Sequence, residues 1–336
     1  MIIGVTGGNG FIGGWVCDEI RRRGHEPLVL DHKARGNLLG DVRDATIVHE
    51  FAAHVDGIIH LAAILGTAET IDAPLPAAET NILGTLNVLE ASSRYDLPVV
   101  FAAVGNSGIG RGTYCVTKAC GEEFVRMYRE DRGSRIIAVR PMNAYGPRQS
   151  APTPYGPSKV RKIVPSFVCS ALSGVPMPLY GGGHQVSDAV HVRDVARVFV
   201  QALLASRDGL VPTHPIDVGN VSPVTVREVA HEVAANVPGA VIEDLEMRKG
   251  EPVGGPLATP GQVHRVVDAV LTAVPDLNPI SVRRAIKQLG TVVMADCETT
   301  RVLGIEPAEF IPLDEGIAET VTWFSANRGV TWRSPD

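Results

Sequence analysis

The sequence predicts an α/β protein: a doubly wound parallel sheet followed by a smaller α/β lobe. Three observations carry that reading. Apolar, β-branched runs alternate with stretches of helical periodicity through about the first 140 residues, the pattern of a parallel sheet covered on both faces. A glycine-rich turn, TGGNGFIGG, lies between the first such run and the first helical stretch. After about residue 150 the elements shorten, and Pro, Ser and Gly punctuate the chain more often.

The elements follow in order. Residues 2–6, IIGVT, form the first strand, and WVCDEIRRRG after the turn carries apolar positions at helical spacing. EPLVLDHK at 26–33 is the second strand, ending on Asp31. VDGIIHLAA at 55–63, LPVVFAAVG at 97–105 and SRIIAVRP at 134–141 are further strands, and AAETNILGTLNVLEASSRY reads as a helix between two of them. SAPTPYGPSK reads as a loop and RKIVPSFVCSALSG as a helix, while VSDAVHVRDVARVFVQALLAS joins a short strand to a helix. In IDVGNVSPVTVREVAHEVAAN a strand and turn lead to a helix capped at Thr225, with Glu228 three residues on to complete a capping box. The expected division is residues 1–165, with return segments near 190–220, and residues 166–336.

Composition narrows the function classes. Of the 336 residues, 45% are hydrophobic and 20% charged, which places the chain among ordinary globular proteins. The net charge of −6 and the absence of a long basic run argue against a nucleic-acid surface. The opening MIIGVTGG lacks a basic-then-apolar leader, and the longest apolar stretches are too short to span a bilayer. The five cysteines, Cys17, Cys115, Cys120, Cys169 and Cys297, are scattered and odd in number, as expected of reduced thiols in a cytoplasmic protein. The ten histidines show no metal-ligand spacing, so no metal site is expected.

The glycine-rich turn carries the first chemical signal. Gly7, Gly10 and Gly13 let backbone approach a pyrophosphate at a helix N-terminus. Asp31, at the end of the next strand, is placed to accept from a ribose hydroxyl and to repel a 2′-phosphate. A dinucleotide site selective for NAD over NADP follows.

Several stretches then resemble one family in its own order: VTGGNGFIGG, GDVRD at 40–44, HLAA at 60–63, TNILGTLNVLEA at 80–91, YCVTK at 114–118, RPMNAYGPRQ at 140–149, HVRDVA at 191–196, VGNVSPVTVREVA at 218–230 and RKGEP at 248–252. The chain resembles the extended short-chain dehydrogenase/reductases of the nucleotide-sugar epimerase/dehydratase type. The resemblance implies a Rossmann domain, bound NAD, a nucleotide-diphosphate sugar as substrate and a homodimer. It implies that Asp41 and Val42 flank the adenine, that Ala62, Ala63 and Asn81 line the cofactor cleft, and that Phe11, Ile12, Leu61 and Pro141 complete the cofactor shell.

Two Tyr-Lys pairs compete for the acid/base role that the family implies. Tyr114 and Lys118 begin an amphipathic helix, where spacing of i, i+4 puts both on one face. That helix lies between two predicted strands, whose C-terminal ends are where ligands sit in such sheets. Tyr155 and Lys159 instead enclose Gly156 and Pro157 within a loop. Tyr114 and Lys118 are therefore assigned to the chemistry, and to holding the cofactor. The Lys118 charge and the nicotinamide are expected to lower the phenol from its ordinary pKa of about 10. Tyr114 would then take a proton from a sugar hydroxyl as hydride passes to NAD.

The chain departs from the family pattern at Val104, where the family carries Ser or Thr. Asn106, Ser107 and Thr113 are the available substitutes, with Ser107 the choice. The same loop, VGNSGIGRGT, holds no Asp or Glu, whereas family dehydratases and decarboxylases carry an acid there. Elimination leaves a 4-epimerase working through a transient 4-keto sugar. The alternatives are a dehydratase or oxidoreductase that releases a keto-sugar, and a non-catalytic NAD-binding protein of the same fold. By resemblance, Asn143 contacts the diphosphate, and Arg248 and Glu251 grip the nucleotide. Ser187 stands where the family has a phosphate-binding Arg; Lys162, with Arg161 or Lys159, is expected to supply that charge. Residues 254–290 read as an insertion containing two helices.

Overall fold

In the computed structural model the described residues are 1–33, 38–66, 70–71, 74–105, 112–158, 160–220, 222–247, 257–258, 260–275, 277–278, 281–282, 285 and 292–328. The chain begins with β1 (Ile2–Thr6), the glycine-rich turn and α1 (Phe11–Arg22). β2 (Glu26–Asp31), β3 (Leu38–Leu39), α2 (Ala45–Ala52) and β4 (Ile58–His60) follow. The stretch read as one helix is divided: α3 (Pro74–Ala78), a π-helical turn at Glu79–Leu83, then α4 (Gly84–Tyr95). β5 (Val99–Ala102), α5 (Thr113–Arg132) and β6 (Ile136–Pro141) complete this run.

The chain then crosses into a second unit through β7 (Asn143–Tyr145), α6 (Ile163–Leu172), β8 (Met177–Tyr180), β9 (Val186–Ser187) and β10 (Ala189–His191). It returns with α7 (Val192–Arg207) and β11 (Ile216–Val218). It leaves again for β12 (Val224–Thr225), α8 (Val226–Asn236), β13 (Ile242–Leu245), β14 (Leu257–Ala258), α9 (Pro260–Ala273) and β15 (Val292–Val293). A 3₁₀ segment at Cys297–Leu303 belongs to the first unit, and α10 (Leu313–Ala326) to the second.

The first unit comprises 1–141, 193–218 and 296–307; the second comprises 142–192, 219–295 and 308–336. The first break therefore falls at Pro141 and not near residue 165. The reason is pairing: β6 closes onto β5 and β11, but β7, two residues later, pairs with β10. A further return at 296–307 had no signal in the sequence. There Thr299 Oγ1 accepts from the Asp217 N–H at 2.8 Å, fastening the 3₁₀ segment to β11.

The sheet of the first unit has seven parallel strands in the order β11-β6-β5-β4-β1-β2-β3. Chain order reverses between β1 and β4, so the crevice at their C-terminal ends is the expected ligand position. One face packs Leu30, Phe51, Val88, Phe101 and Tyr128 into a continuous core. The second unit has its own core around Tyr145, Phe167, Met177, Ile317 and Phe324. The capping box forms as read: Thr225 Oγ1 accepts from Glu228 N–H at 3.1 Å, and the Glu228 carboxylate accepts from Thr225 N–H at 2.6 Å. α9 occupies the expected insertion, bracketed by the parallel pair β14 and β15. Most of the second helical stretch read there, NPISVRRAIKQLG, lies outside the described residues.

Candidate active site

The glycine-rich turn opens at the switch point between β1 and β4. Gly7 has φ +71°, and a Cβ there would lie 2.8 Å from the Ala62 backbone nitrogen, so only glycine fits. A Cβ on Gly13 would lie 2.3 Å from the Gly7 carbonyl oxygen, so the first turn of α1 packs directly on the loop. Gly10 is the N-cap, and no side chain caps α1. Phe11 and Ile12, half-buried, begin the helix. An uncapped helix start behind a glycine-rich turn is a cradle for a phosphate group.

Asp31 ends β2 beside this turn and is 6% exposed. Its carboxylate accepts from Asn9 N–H and Lys33 N–H, each at 3.0 Å. The turn and the acid are therefore held in one fixed relation. Leu61, Ala62 and Ala63 leave the end of β4 as half-buried backbone alongside Gly7. These residues fit a dinucleotide: a phosphate cradle at the helix start, and a carboxylate at the next strand end for a ribose.

Asp41 and Val42 lie across α4. Asn87 Nδ2 donates to the Val42 carbonyl at 2.9 Å, and Val42 packs against Gly84. The Arg43 guanidinium donates to Asp41 at 2.7 Å and to Glu79 at 3.0 Å, which holds the Asp41 carboxyl below the usual carboxylate range. Asp41, Arg43, Asp44, Glu79 and Leu83 line an open hollow of about 380 Å³. Pro141 closes β6, opposite Val218 of β11.

Tyr114 and Lys118 stand one turn apart near the start of α5. The Tyr114 N–H donates to Thr70 Oγ1 at 3.2 Å, which supplies a helix-start bond that α5's own N-cap, Gly112, cannot. Asn81, in the π-helical turn, accepts from Ile64 N–H at 2.8 Å and donates to the Ile64 carbonyl at 3.1 Å and to Thr117 Oγ1 at 3.0 Å. It thus ties the segment after β4 to the helix face between Tyr114 and Lys118. Thr70 and Thr117 were not among the residues read as functional. For Thr117 a signal exists in its three-residue spacing from Tyr114, whose carbonyl it bonds; for Thr70 there is none.

Lys118 is 3% exposed, with its ammonium 4.2 Å above the Phe101 ring centroid. Burial pulls its pKa down to about 8, with a small opposing push from Glu122. Glu122 itself turns to Arg140, 2.6 Å away. Burial pushes the Tyr114 phenol well above its ordinary range. In the chain alone the shift is thus opposite to the lowering expected with the cofactor bound: loss of hydration dominates, and Cys115 adds a smaller push the same way.

The remaining expectations divide in two. In the second unit, Asn143 is an exposed side chain at the first position of β7, and Lys162 is the exposed N-cap residue of α6. Ser187, in β9, is 3% exposed. Ser107, Lys159, Arg248 and Glu251 lie outside the described residues. The competing Tyr155 belongs to the second unit's core and hydrogen-bonds Ser170 Oγ at 3.0 Å. Its loop is stapled by Thr153 N–H donating to the Ser158 carbonyl at 3.0 Å.

A doubly wound parallel sheet with a glycine-rich turn at its switch point defines a fold of the dinucleotide-binding class. The family is narrower: residues 3–219 match the model of the NAD dependent epimerase/dehydratase family, and the chain belongs to it. NAD is the family's cofactor. A UDP-N-acetyl-alpha-D-glucosaminuronate decarboxylase from Bacillus cytotoxicus is 29% identical over 68% of this chain and 78% of its own. A putative UDP-glucose 4-epimerase from Methanocaldococcus jannaschii is 29% identical over 59% of this chain and 72% of its own. The structure of UDP-glucose 4-epimerase from Thermus thermophilus in complex with NAD superposes with a TM-score of 0.72. It is 25% identical, and the match covers 96% of this chain and 99% of that one. Among the described residues no helix is long and apolar enough to cross a membrane.

Proposed function

We propose that the chain is an NAD-dependent nucleotide-sugar epimerase acting at C4. The observation that carries the reading is the pairing of Tyr114 and Lys118 on one face of α5, together with a sequence from 104 to 113, after β5, that contains no acid. An epimerase needs a group to take and return one hydroxyl proton, and nothing else acidic. Dehydration and decarboxylation at this position call for a carboxyl the loop does not contain. NAD supplies the hydride acceptor and donor.

Gly7, Gly10, Phe11, Ile12 and Gly13 would hold the pyrophosphate and Asp31 the ribose, with Leu61, Ala62, Ala63, Asn81 and Pro141 lining the nicotinamide side and Asp41 and Val42 the adenine side. Lys118, still largely protonated at pH 7, would bond the nicotinamide ribose and face the phenol with its charge. Burial raises the Tyr114 phenol in the chain alone, and the cationic nicotinamide, once bound, would act in the opposite direction. Asn143 and Lys162, with Arg248 and Glu251, are the proposed contacts to the nucleotide diphosphate, and the enzyme is proposed to work as a homodimer.

The test is a panel of UDP-, dTDP- and GDP-sugars, with products followed by NMR. Interconversion of C4 epimers with no NADH accumulation supports the reading. Carbon dioxide release from a UDP-uronic acid, or a 4-keto-6-deoxy product, would replace it with the decarboxylase or dehydratase activity present among relatives.

A further inference from the structure

A buried string of hydrogen bonds runs from the strand before the glycine-rich turn to the helix that carries Tyr114, all within the first unit. Ala62 N–H donates to Thr6 Oγ1 at 3.2 Å, and Thr6 Oγ1 lies 2.7 Å from His60 Nδ1. His60 Nε2 lies 3.0 Å from Thr85 Oγ1, which donates to the Asn81 carbonyl at 2.7 Å. The Asn81 amide continues to Thr117 Oγ1, which donates to the Tyr114 carbonyl at 3.0 Å. Thr6, His60, Asn81, Thr85 and Thr117 are each at most 2% exposed.

Proton counting fixes the state of the imidazole. A threonine hydroxyl owns one proton, and a carbonyl can only accept. With the Thr85 proton on the Asn81 carbonyl, the shorter of its two contacts, Thr85 meets His60 Nε2 with a lone pair and Nε2 carries the hydrogen. Burial, and secondarily the Lys118 charge, push the imidazole pKa down to about 3, so the ring is neutral and Nδ1 is bare. Nδ1 then accepts the Thr6 proton, which leaves the Thr6 lone pairs for Ala62 N–H. In the opposite tautomer Thr85 would have to turn its proton from Asn81 to Nε2, and Thr6 Oγ1, accepting from both Ala62 N–H and Nδ1–H, would find no acceptor in the string for its own proton, a cost in so buried a place. Every donor in the string points the same way.

We propose that His60 is a positioning residue: as the Nε2–H tautomer it locks the strand that ends in the glycine-rich turn to the helix turn between Tyr114 and Lys118. This rests on the assignment of those two residues to the chemistry. His60 makes no hydrogen bond to either; it acts through Thr85, Asn81 and Thr117 on one side and through Thr6 on the other. An apolar residue of similar volume would fill the space without fixing the relative registry of β1, β4 and α4.

The experiment uses the full chain with NAD bound, labelled with ¹⁵N at histidine and ¹³C at the tyrosine ring. The expected His60 spectrum is that of a neutral ring with hydrogen on Nε2, unchanged across about pH 5 to 8, where an ordinary histidine titrates. Thr85→Val keeps the shape and removes the acceptor. It should shift both the His60 and the Tyr114 ring signals and lower kcat about tenfold, the scale of one stranded buried donor. KM should stay within about twofold, since the effect is on orientation and not on ground-state binding. Thr85→Ser should restore all three readouts. Should Thr85→Val not fold, Thr117→Val cuts the string at its other end and should move Tyr114 while leaving the His60 spectrum intact. A charged ring, an Nδ1–H ring, or a Tyr114 signal indifferent to both variants would overturn the proposal. Failure of the underlying assignment looks different: Tyr114→Phe would then turn over normally, with the tautomer and its coupling still present.

Discussion

Lys118→Met should stabilise the protein while abolishing its turnover. The structure buries a charged amine to 3% exposure and lowers its pKa from 10.5 to about 8. At about 1.4 kcal/mol per pKa unit, the protonated amine costs about 3 kcal/mol of folding free energy at neutral pH. The ammonium over Phe101 returns about 1 kcal/mol of that. Methionine matches the stem in length, fills the same space and carries no charge, so its net gain at pH 7 should be about 2 kcal/mol. The sign of the pH dependence follows from the depressed pKa. Below pH 8 folded and unfolded chains both hold the proton, and the whole cost is present. Between 8 and 10.5 the folded chain has released it and the unfolded chain has not, so wild-type stability climbs relative to the variant. Above 10.5 neither chain is charged there, and the difference between the two proteins should have closed. Urea unfolding of both proteins without added NAD, at about pH 7 and again at about pH 10, measures this directly. A methionine variant that is less stable at the lower pH, or a gain that does not shrink at the higher, would show that the amine is solvated or paired in a way this burial does not allow.

Other expectations concern the same site and its surroundings. Tyr114→Phe should lower turnover by about 10²–10⁴-fold, the worth of a positioned general base, with NAD affinity nearly unchanged by titration. Tyr155→Phe removes the bond to Ser170, in the second unit's core, and should leave turnover within a few-fold. NAD should bind at least about tenfold more tightly than NADP, and Asp31→Ser should narrow that ratio, because the buried carboxylate faces a 2′-phosphate with like charge; calorimetric titration of both cofactors reads it. Replacing residues 259–291 by a few glycines should leave NAD affinity intact, since β14 and β15 are already paired side by side and the dinucleotide cradle belongs to the other unit; loss of binding in a folded deletion protein would refute this.

Local chemistry made much of the fold legible. The strand, turn and helix around Gly7, Gly10 and Gly13 could be read because a glycine-rich turn between two periodic segments has few other uses. The capping box at Thr225 and Glu228 could be read because both partners lie within four residues. The choice between Tyr114 and Tyr155 rested on one being in a helix and the other in a proline-containing loop, which is also local. What escaped was non-local. The direction of the Tyr114 shift depends on how deeply α5 is covered, and sequence spacing carries no measure of depth. The break at Pro141 depends on which distant strand β7 pairs with. Thr6, His60, Thr85 and Thr117 are ordinary residues in ordinary segments, and only the fold puts them in hydrogen-bonding order. The π-helical turn at Glu79–Leu83 interrupts a stretch whose apolar spacing looks continuous; Asn81, inside it, bonds both a neighbouring segment and a neighbouring helix.

The three-part composition of the first unit has a consequence during synthesis. When the ribosome has delivered residues 1–165, β6 is an unpaired sheet edge made of IIAVRP, five of its six residues buried in the finished protein. Its partner β11 emerges some 75 residues later, and the 3₁₀ segment that fastens β11 emerges only after residue 296. Arg140 on that edge likewise waits for Asp217. An apolar strand edge kept open for that long is the kind of surface that recruits other nascent chains. Slow or interrupted translation between residues 141 and 216 therefore exposes this chain to aggregation, and any expression fragment ending in that interval inherits the same open edge.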